Sequence, residues 1–230
     1  MAHTREWKIP VGPDATTAIF VPADGVARVG VLICAHGAGG HLGDRAMLKA
    51  AQAMQDAGLS VVRFNFLYKE RKSGRPDPMP KLMATVASVA DHARRELGPG
   101  PMFLGGRSMG GRAASMLAAD GFATSGLILL AYPLHPPGQP EKLRDVHLPS
   151  IGVPVLCFNG TRDEFCQPDL MAQVLPRLPK TWSMHWIEGA DHSFHVLKKS
   201  GRTDDEVMAE VSKATSDWLL VTGRPQPSSH

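Results

Sequence analysis

From residue 28 onward the sequence alternates short apolar runs with longer, helically spaced ones, and that alternation narrows the fold more than any other feature. "RVGVLICAHG" is a continuous apolar run, as a strand covered on both faces needs. "RAMLKAAQAMQDAG" follows with helical spacing and a stop at Gly58. "SVVRFNF" predicts a second buried strand. A Pro- and charge-rich loop, "YKERKSGRPDPMP", then leads to the helix "KLMATVASVADHARREL", closed by Gly98-Pro99. "PMFLGG" predicts a strand and "SMGGRAASMLAAD" a helix. "TSGLILLAYPL" and "VPVLCFNGT" predict strands joined by a Pro-rich connection. "DLMAQVLPRL" predicts a helix weakened or kinked at Pro176, "TWSMHWIEG" a strand, and "DDEVMAEVSKATSDWLLV" an amphipathic closing helix. Ahead of these units, "EWKIPVG" and "TTAIFVPAD" alternate apolar and polar residues and carry Gly-Pro and Asp-Gly turn signals, so they predict an antiparallel hairpin.

Strands alternating with helices build βαβ units, so the expected class is α/β, with a mostly parallel, doubly wound sheet and helices on both faces. The chain has 230 residues, 43% of them hydrophobic and 20% charged, enough for one full core. A single domain over residues 1–223 is expected, with a tail at 224–230 that frays. The formal charge of +3 gives no reason to expect a nucleic-acid or membrane-surface partner. No run approaches the ~18 apolar residues of a spanning helix. "MAHTREWKIP" lacks the apolar core of a secretion signal, so a cytoplasmic location is the default expectation. Three cysteines without CxxC spacing support neither a disulfide framework nor a zinc site. Cys34 and Cys157 lie in strand runs and should be buried, whereas Cys166 lies in a loop where exposure is open to it.

In parallel sheets chemistry gathers at the carboxyl ends of the strands. Four expected strand ends carry "HGAGG" (residues 36 to 40), "RSMGG" with Ser108, "TRDEF" with Asp163 and "DHSF" with His192. A glycine-rich turn, a serine, an acid and an imidazole are the parts of a nucleophilic hydrolase. Gly106-Arg107-Ser108-Met109-Gly110 matches G-x-S-x-G at a strand-to-helix junction. A turn that sharp puts the serine in a strained backbone with Oγ projecting from the sheet, and a Cβ at Gly106 or Gly110 would clash. The helix begins at the serine, so its positive end faces the reacting centre. The order Ser108, Asp163, His192 is the chain order this architecture uses.

His192 suits the role of general base, following the turn glycine Gly189 closely. His185 lies within a strand run, His195 at the expected site edge, and His36 where a histidine braces the glycine-rich turn; His36 and His195 are also candidates for substrate contact. Asp191 adjoins His192 too closely to align with its ring, so Asp163 is the expected acid, with Glu164 behind it. "HGAGG" should supply an oxyanion-hole amide from Ala38 or Gly39, paired with that of Met109. Arg107 and Arg112 flank the serine, and Lys69, Arg71, Lys72, Arg75 and Lys81 lie in or beside the basic loop. They suit anionic acyl groups or an acidic partner, or else an ordinary solvated loop with Arg107 or Arg112 paired to a nearby carboxylate. No metal or organic cofactor is required, and the expected partner is a small-molecule ester.

The opening hairpin, "HGAGG", "GGRSMGG", "GTRDEF" and "GADHSFH" together resemble the α/β-hydrolase superfamily over nearly the whole chain. "RFNF" and "YPLHPPGQPEKLRDVHL" further resemble a small capless subgroup. That subgroup includes testis-expressed protein 30, the hydrolase-like domain of an NSL chromatin-complex subunit and dienelactone-hydrolase-like bacterial proteins. The resemblance implies Ser108 as nucleophile, Asp163 as acid, His192 as base, and Ala38 with Met109 as oxyanion donors. True dienelactone hydrolases use a cysteine nucleophile, so Ser108 departs from them. The stretch Pro133 to Pro154, where capped relatives insert a lid, is short and proline-rich, which implies an ordered loop and an open pocket. Carboxylesterase action on small esters is the leading expectation. Thioesterase or peptidase activity uses the same machinery, and the chromatin-associated relatives keep a non-catalytic scaffold as the alternative.

Overall fold

A computed structural model of the chain describes residues 3–23 and 29–222. The opening residues alternate buried and exposed along β1 (Arg5–Val11) and β2 (Asp14–Val21), which pair antiparallel across a turn at Gly12. The chain then alternates as its pattern predicts. β3 (Gly30–Ala35), α1 (Arg45–Asp56) and β4 (Leu59–Phe64) come first, followed by α2 (Leu67–Glu70), α3 (Met79–Leu97) and β5 (Met102–Arg107). α4 (Met109–Ala119), β6 (Gly126–Leu130), β7 (Val155–Gly160), α5 (Pro168–Val174), β8 (Trp182–Ile187) and α6 (Asp204–Thr222) complete it.

The eight strands form one sheet in the order β1-β2-β4-β3-β5-β6-β7-β8. β2 meets β4 antiparallel, and every pair from β4 to β8 is parallel. Side-chain alternation explains the two layers. Ile33, Ala35, Leu127 and Leu129 join a core with α3, α4 and α5. Leu32, Cys34, Ile128 and Leu130 join a second core with α1 and α6. Such doubly covered strands have no polar face, which is why they read as continuous apolar runs.

Three differences from expectation have local causes. The loop expected from Tyr68 opens with α2, a single helical turn too short to show periodicity, and its Leu67 and Tyr68 are buried. α3 begins at Met79, not Lys81, because Pro80 lies in its first turn, where a missing N–H costs nothing. Cys166 is fully buried, not exposed. Its N–H donates to the Asp163 carbonyl at 3.2 Å, and it packs in the core that holds Met171 and Val174 of α5. Pro176 does end α5, which continues as a 3₁₀ turn over Leu175–Arg177. The connection from residue 131 to 154 carries one 3₁₀ turn, Leu148–Ser150, and no helical lid. The Asp24-Gly25 turn and the 224–230 tail lie outside the described residues. Among the described residues no helix is long and apolar enough to cross a membrane.

Candidate active site

β5 ends at Arg107 in the middle of the sheet, and Ser108 turns the chain directly into α4 with φ 49° and ψ −117°. That left-handed backbone is costly for a residue with a Cβ and persists only because its surroundings enforce it. Gly106 (φ 139°) would place a Cβ 2.1 Å from the Ala35 carbonyl oxygen, and Gly110 one at 2.5 Å from the same oxygen. The glycines are therefore needed, but the neighbour they admit is the end of β3. The contact between β5 and α4 themselves falls at Gly111, whose Cβ would stand 2.8 Å from the Gly106 oxygen.

Ser108 and His192 start three strands apart, on β5 and beyond β8, or ~14 Å at ~4.8 Å per strand. The loop after β8 closes that gap by folding back over the strand ends. Asp191 is its hub: Oδ1 accepts from Ser193 N–H at 2.8 Å and His195 N–H at 3.0 Å. Its N–H donates to the His195 carbonyl at 3.0 Å, and an isolated bridge joins Ala190 to Val196. Asp191 thus shapes the turn that presents His192 and makes no bond to its ring. Arg162 donates to Gly189 O at 2.9 Å and Gly189 N–H to Thr161 Oγ1 at 2.8 Å, tying the loop to the end of β7.

His192 Nε2 lies 2.9 Å from Ser108 Oγ, and its Nδ1 lies 2.9 Å from both carboxylate oxygens of Asp163. The Asp163 side chain is fully buried. Its remaining lone pairs are taken by Phe165 N–H at 2.8 Å on Oδ1 and Asn159 Nδ2 at 3.0 Å on Oδ2. Asn159 is itself fixed by Tyr132, donating to its carbonyl at 3.0 Å and accepting from its N–H at 3.2 Å. The Phe165 ring tilts against the imidazole with centroids 4.2 Å apart. Glu164, the fallback acid, is exposed. His185 Nε2 pairs with Glu210 at 2.7 Å, away from Ser108.

The glycine-rich turn after β3 closes through Gly40 N–H to Gly37 O at 3.1 Å. The amides of Ala38 and Gly39 at its tip have no acceptor among the described residues, and neither does that of Met109. Ala38, Ser108 and Met109 line one cleft. Tyr68 Oη donates to the Ala38 carbonyl at 2.6 Å, which anchors the oxygen side of the peptide that follows. His36 does not reach the cleft, contrary to its candidacy for substrate contact. It is fully buried, its Nδ1–H donating to Gly37 O at 2.7 Å and its Nε2 accepting from Phe66 N–H at 3.1 Å. Burial pushes its pKa down to about 4, which keeps it neutral in that bracing role.

Arg107 projects beside His192. Nη2 donates to the His192 carbonyl at 3.2 Å, the guanidinium lies over the Phe194 ring, and Nε is buried without a partner among the described residues. His195, expected at the site edge and a candidate for substrate contact, is exposed, lies 3.0 Å from Asp204, and lines a neighbouring cleft with Arg107 and Phe194, not either cleft that opens on Ser108. Two of the five basic-loop cations are paired: Arg71 with Asp77, and Lys81 with Asp14 at 2.8 Å. Two clefts open on Ser108. One, of about 430 Å³, also touches His192, Gly39, Asp44 and Arg107. The other, of about 250 Å³, holds Ala38 and Met109 but not His192. No cluster of three His, Cys, Asp or Glu side chains suited to a metal occurs among the described residues.

Sequence reasoning missed Tyr68, Asn159 and Phe165. Asn159 and Phe165 lie within four residues of Asp163, at the strand end already singled out, and proximity was the available signal. Tyr68 has none in the sequence, since its bond to Ala38 spans 30 residues.

The fold is shared with an α/β serine hydrolase without lid from Xanthomonas campestris, at 20% identity over 99% of this chain and 98% of that one, with a TM-score of 0.76. It is shared also with a dienelactone hydrolase from Anabaena variabilis, at 20% identity over 95% and 98% of the two chains and a TM-score of 0.70. An α/β serine hydrolase homologue from Coxiella burnetii is similar at 19% identity over 93% and 96%, with a TM-score of 0.75. At such identities the likeness is one of fold. A family model described as an alpha/beta hydrolase domain matches residues 28–220, from the approach to β3 almost to the end of α6, and the chain belongs to the α/β-hydrolase family.

Proposed function

We propose that this protein is a serine hydrolase that cleaves small carboxylic esters through an acyl-enzyme. The observation that carries this reading is the continuous hydrogen-bonded line from Ser108 Oγ through His192 to the buried Asp163, each step 2.9 Å. In the proposed cycle His192 Nε2 takes the Ser108 proton as Oγ attacks the ester carbonyl. Asp163 holds Nδ1–H, fixes the tautomer and stabilises the imidazolium. The developing oxyanion is met by the amides of Ala38 and Met109, with the N-terminus of α4 behind the second. One such donor is worth about 3 to 4 kcal/mol of barrier. The imidazolium then protonates the departing alkoxide, and a water activated by His192 releases the acid.

The open clefts and the absence of a helical lid between β6 and β7 support small acyl groups over long buried chains. Names carried by fold neighbours, serine hydrolase and esterase among them, agree with the class without fixing the substrate. Two measurements test the reading. Ser108→Ala, folded as judged by circular dichroism, should lose small-ester turnover by at least about a thousandfold. A fluorophosphonate should label Ser108 in the parent protein at neutral pH. Unchanged turnover in the variant would refute Ser108 as the nucleophile, and an unlabelled Ser108 in a parent protein without ester turnover would leave the scaffold alternative standing.

A further inference from the structure

The smaller cleft at Ser108 carries charge that the proposed cycle does not use. Arg112 follows Ser108 by one turn of α4, its N–H donating to the Ser108 carbonyl at 3.0 Å. Arg144 reaches the same cleft from the connection between β6 and β7, alongside Pro133 and Phe165. Arg71, Arg94, Arg177 and Arg202 each meet a carboxylate, while several exposed arginines, such as Arg45 and Arg75, meet none among the described residues. Arg112 and Arg144 have none within 4.0 Å among the described residues. The Nε of Arg112 is buried with no hydrogen-bond partner there.

The backbone fixes this arrangement. Arg144 N–H donates to Leu134 O at 2.7 Å, and its carbonyl accepts from Tyr132 Oη at 2.6 Å. The next residue, Asp145, is drawn off by Arg177 at 2.6 Å. His147 gives no compensation, because its Nε2 is engaged with Ser115 Oγ at 2.8 Å. Burial, and after it the Arg112 charge, lowers the pKa of Arg144 from its ordinary value, as two cations held close without a counter-ion would. Such a half-buried pair is costly until an anion enters, and the guanidinium fork matches a carboxylate.

The direction of the reaction assigns the two clefts. The leaving alkoxide takes its proton from His192, so it departs through the larger cleft, which His192 lines. The acyl part then lies in the smaller cleft, beside Ala38, Met109 and the two arginines. We propose that Arg112 and Arg144 bind a carboxylate on the acyl part of the substrate, so that monoesters of short dicarboxylic acids are preferred. This rests on Ser108 being the nucleophile. The ester C–O bond breaks as the Oγ–acyl bond forms, His192 protonates the alkoxide, and water returns the free dicarboxylate.

The test compares monoethyl glutarate with the neutral ethyl ester of glutaramic acid, which has the same shape, by proton release at fixed pH. The parent protein should favour the acid by about tenfold or more in kcat/KM, chiefly through KM. That ratio should shrink with added salt. It should also fall to near one in Arg144→Gln and in Arg112→Gln. A ratio is read because it cancels any general loss of folded protein. In parallel, glutarate should slow fluorophosphonate labelling of Ser108 at concentrations where glutaramide does not. A parent ratio at or below one, with Ser108 still labelled, overturns the anion site and leaves the serine hydrolase intact. Turnover of neither ester and no label overturns both.

Discussion

Replacing Asp163 by Asn should silence the enzyme by a route visible in its hydrogen bonds. The carboxylate accepts from Phe165 N–H on Oδ1, from Asn159 Nδ2 on Oδ2, and from His192 Nδ1–H on both. An amide has only one acceptor oxygen. With its NH₂ in the Oδ1 position it points a donor at Phe165 N–H; in the Oδ2 position it points one at Asn159. Asn159 cannot flip to help without giving up both its bonds to Tyr132. Either orientation leaves a buried donor facing a donor, at about 1–3 kcal/mol of stability. The amide NH₂ also favours the imidazole tautomer with its proton on Nε2, which removes the base from Ser108 Oγ. Loss of that tautomer in a Ser-His-Asp arrangement costs about 10⁴-fold, or ~5 kcal/mol of barrier. The assay is kcat/KM on p-nitrophenyl acetate beside a thermal melt. Asp163→Asn should melt a few degrees lower yet remain folded at 25 °C. Turnover within tenfold of the parent, in a folded variant, would refute the assigned role of Asp163.

Tyr68→Phe removes the Oη bond to Ala38 O, which holds the peptide bearing the Gly39 N–H and with it the turn that presents the Ala38 N–H, so kcat should fall about tenfold with KM nearly unchanged, because that turn acts mainly on the transition state; an equal loss in KM would place Tyr68 in substrate binding instead. Gly110→Ala drives a Cβ to 2.5 Å from the Ala35 carbonyl oxygen and 2.6 Å from that of His36, both backbone, so a melt should show destabilisation of about 3 kcal/mol or more, while Gly121→Ala, where no atom lies within 4 Å but φ is +88°, should cost less. His36 gives a pH signature: its folded pKa of about 4 lies below the unfolded 6.5, so the unfolded chain binds more protons between those values. Stability from this residue is full above pH 6.5 and declines towards pH 4, by about 3 kcal/mol in all. Urea titrations across that window should show the slope; His36→Gln should lessen it and leave the share of His147, whose pKa burial also lowers to about 4.

The mostly parallel sheet and the four loaded strand ends were legible because they rest on local signals, whereas the strand order was not. Continuous apolar runs announce doubly covered strands, and the spacing of Gly106, Ser108 and Gly110 announces a turn that admits no Cβ. The order Ser108, Asp163, His192 could be read without distances because strand ends in such a sheet all open on one edge. What stayed hidden depends on contacts far apart in sequence. α2 has four residues, less than the helical period needs to show itself, yet it delivers Tyr68 to Ala38. Arg144 lies in a proline-rich connection, where no local signal marks it. Its meaning comes only when that connection lays it across the cleft from Arg112. Asp191, set aside as the acid because it adjoins His192, proves to be the acceptor that folds the loop carrying it.

Phe165 links the two halves of the site. Its N–H donates to Asp163, its carbonyl accepts from His135 N–H at 3.0 Å, and its ring lies against His192 while lining both clefts. His135 belongs to the connection that also carries Arg144, so the wall proposed to hold the acyl carboxylate and the support of the imidazole share one backbone tie. In a site without a lid, substrate binding cannot exclude water by closure, and more of the barrier reduction must come from donors and acceptors already in place. The short connection fits that demand. It is pinned at Tyr132 by the Asn159 amide and by the Arg144 carbonyl, and Asn159 is in turn the partner of Asp163. An anion seated on Arg112 and Arg144 would offset the like charges that meet at this connection. Binding at the acyl end would then steady the scaffold on which Asp163 and His192 depend.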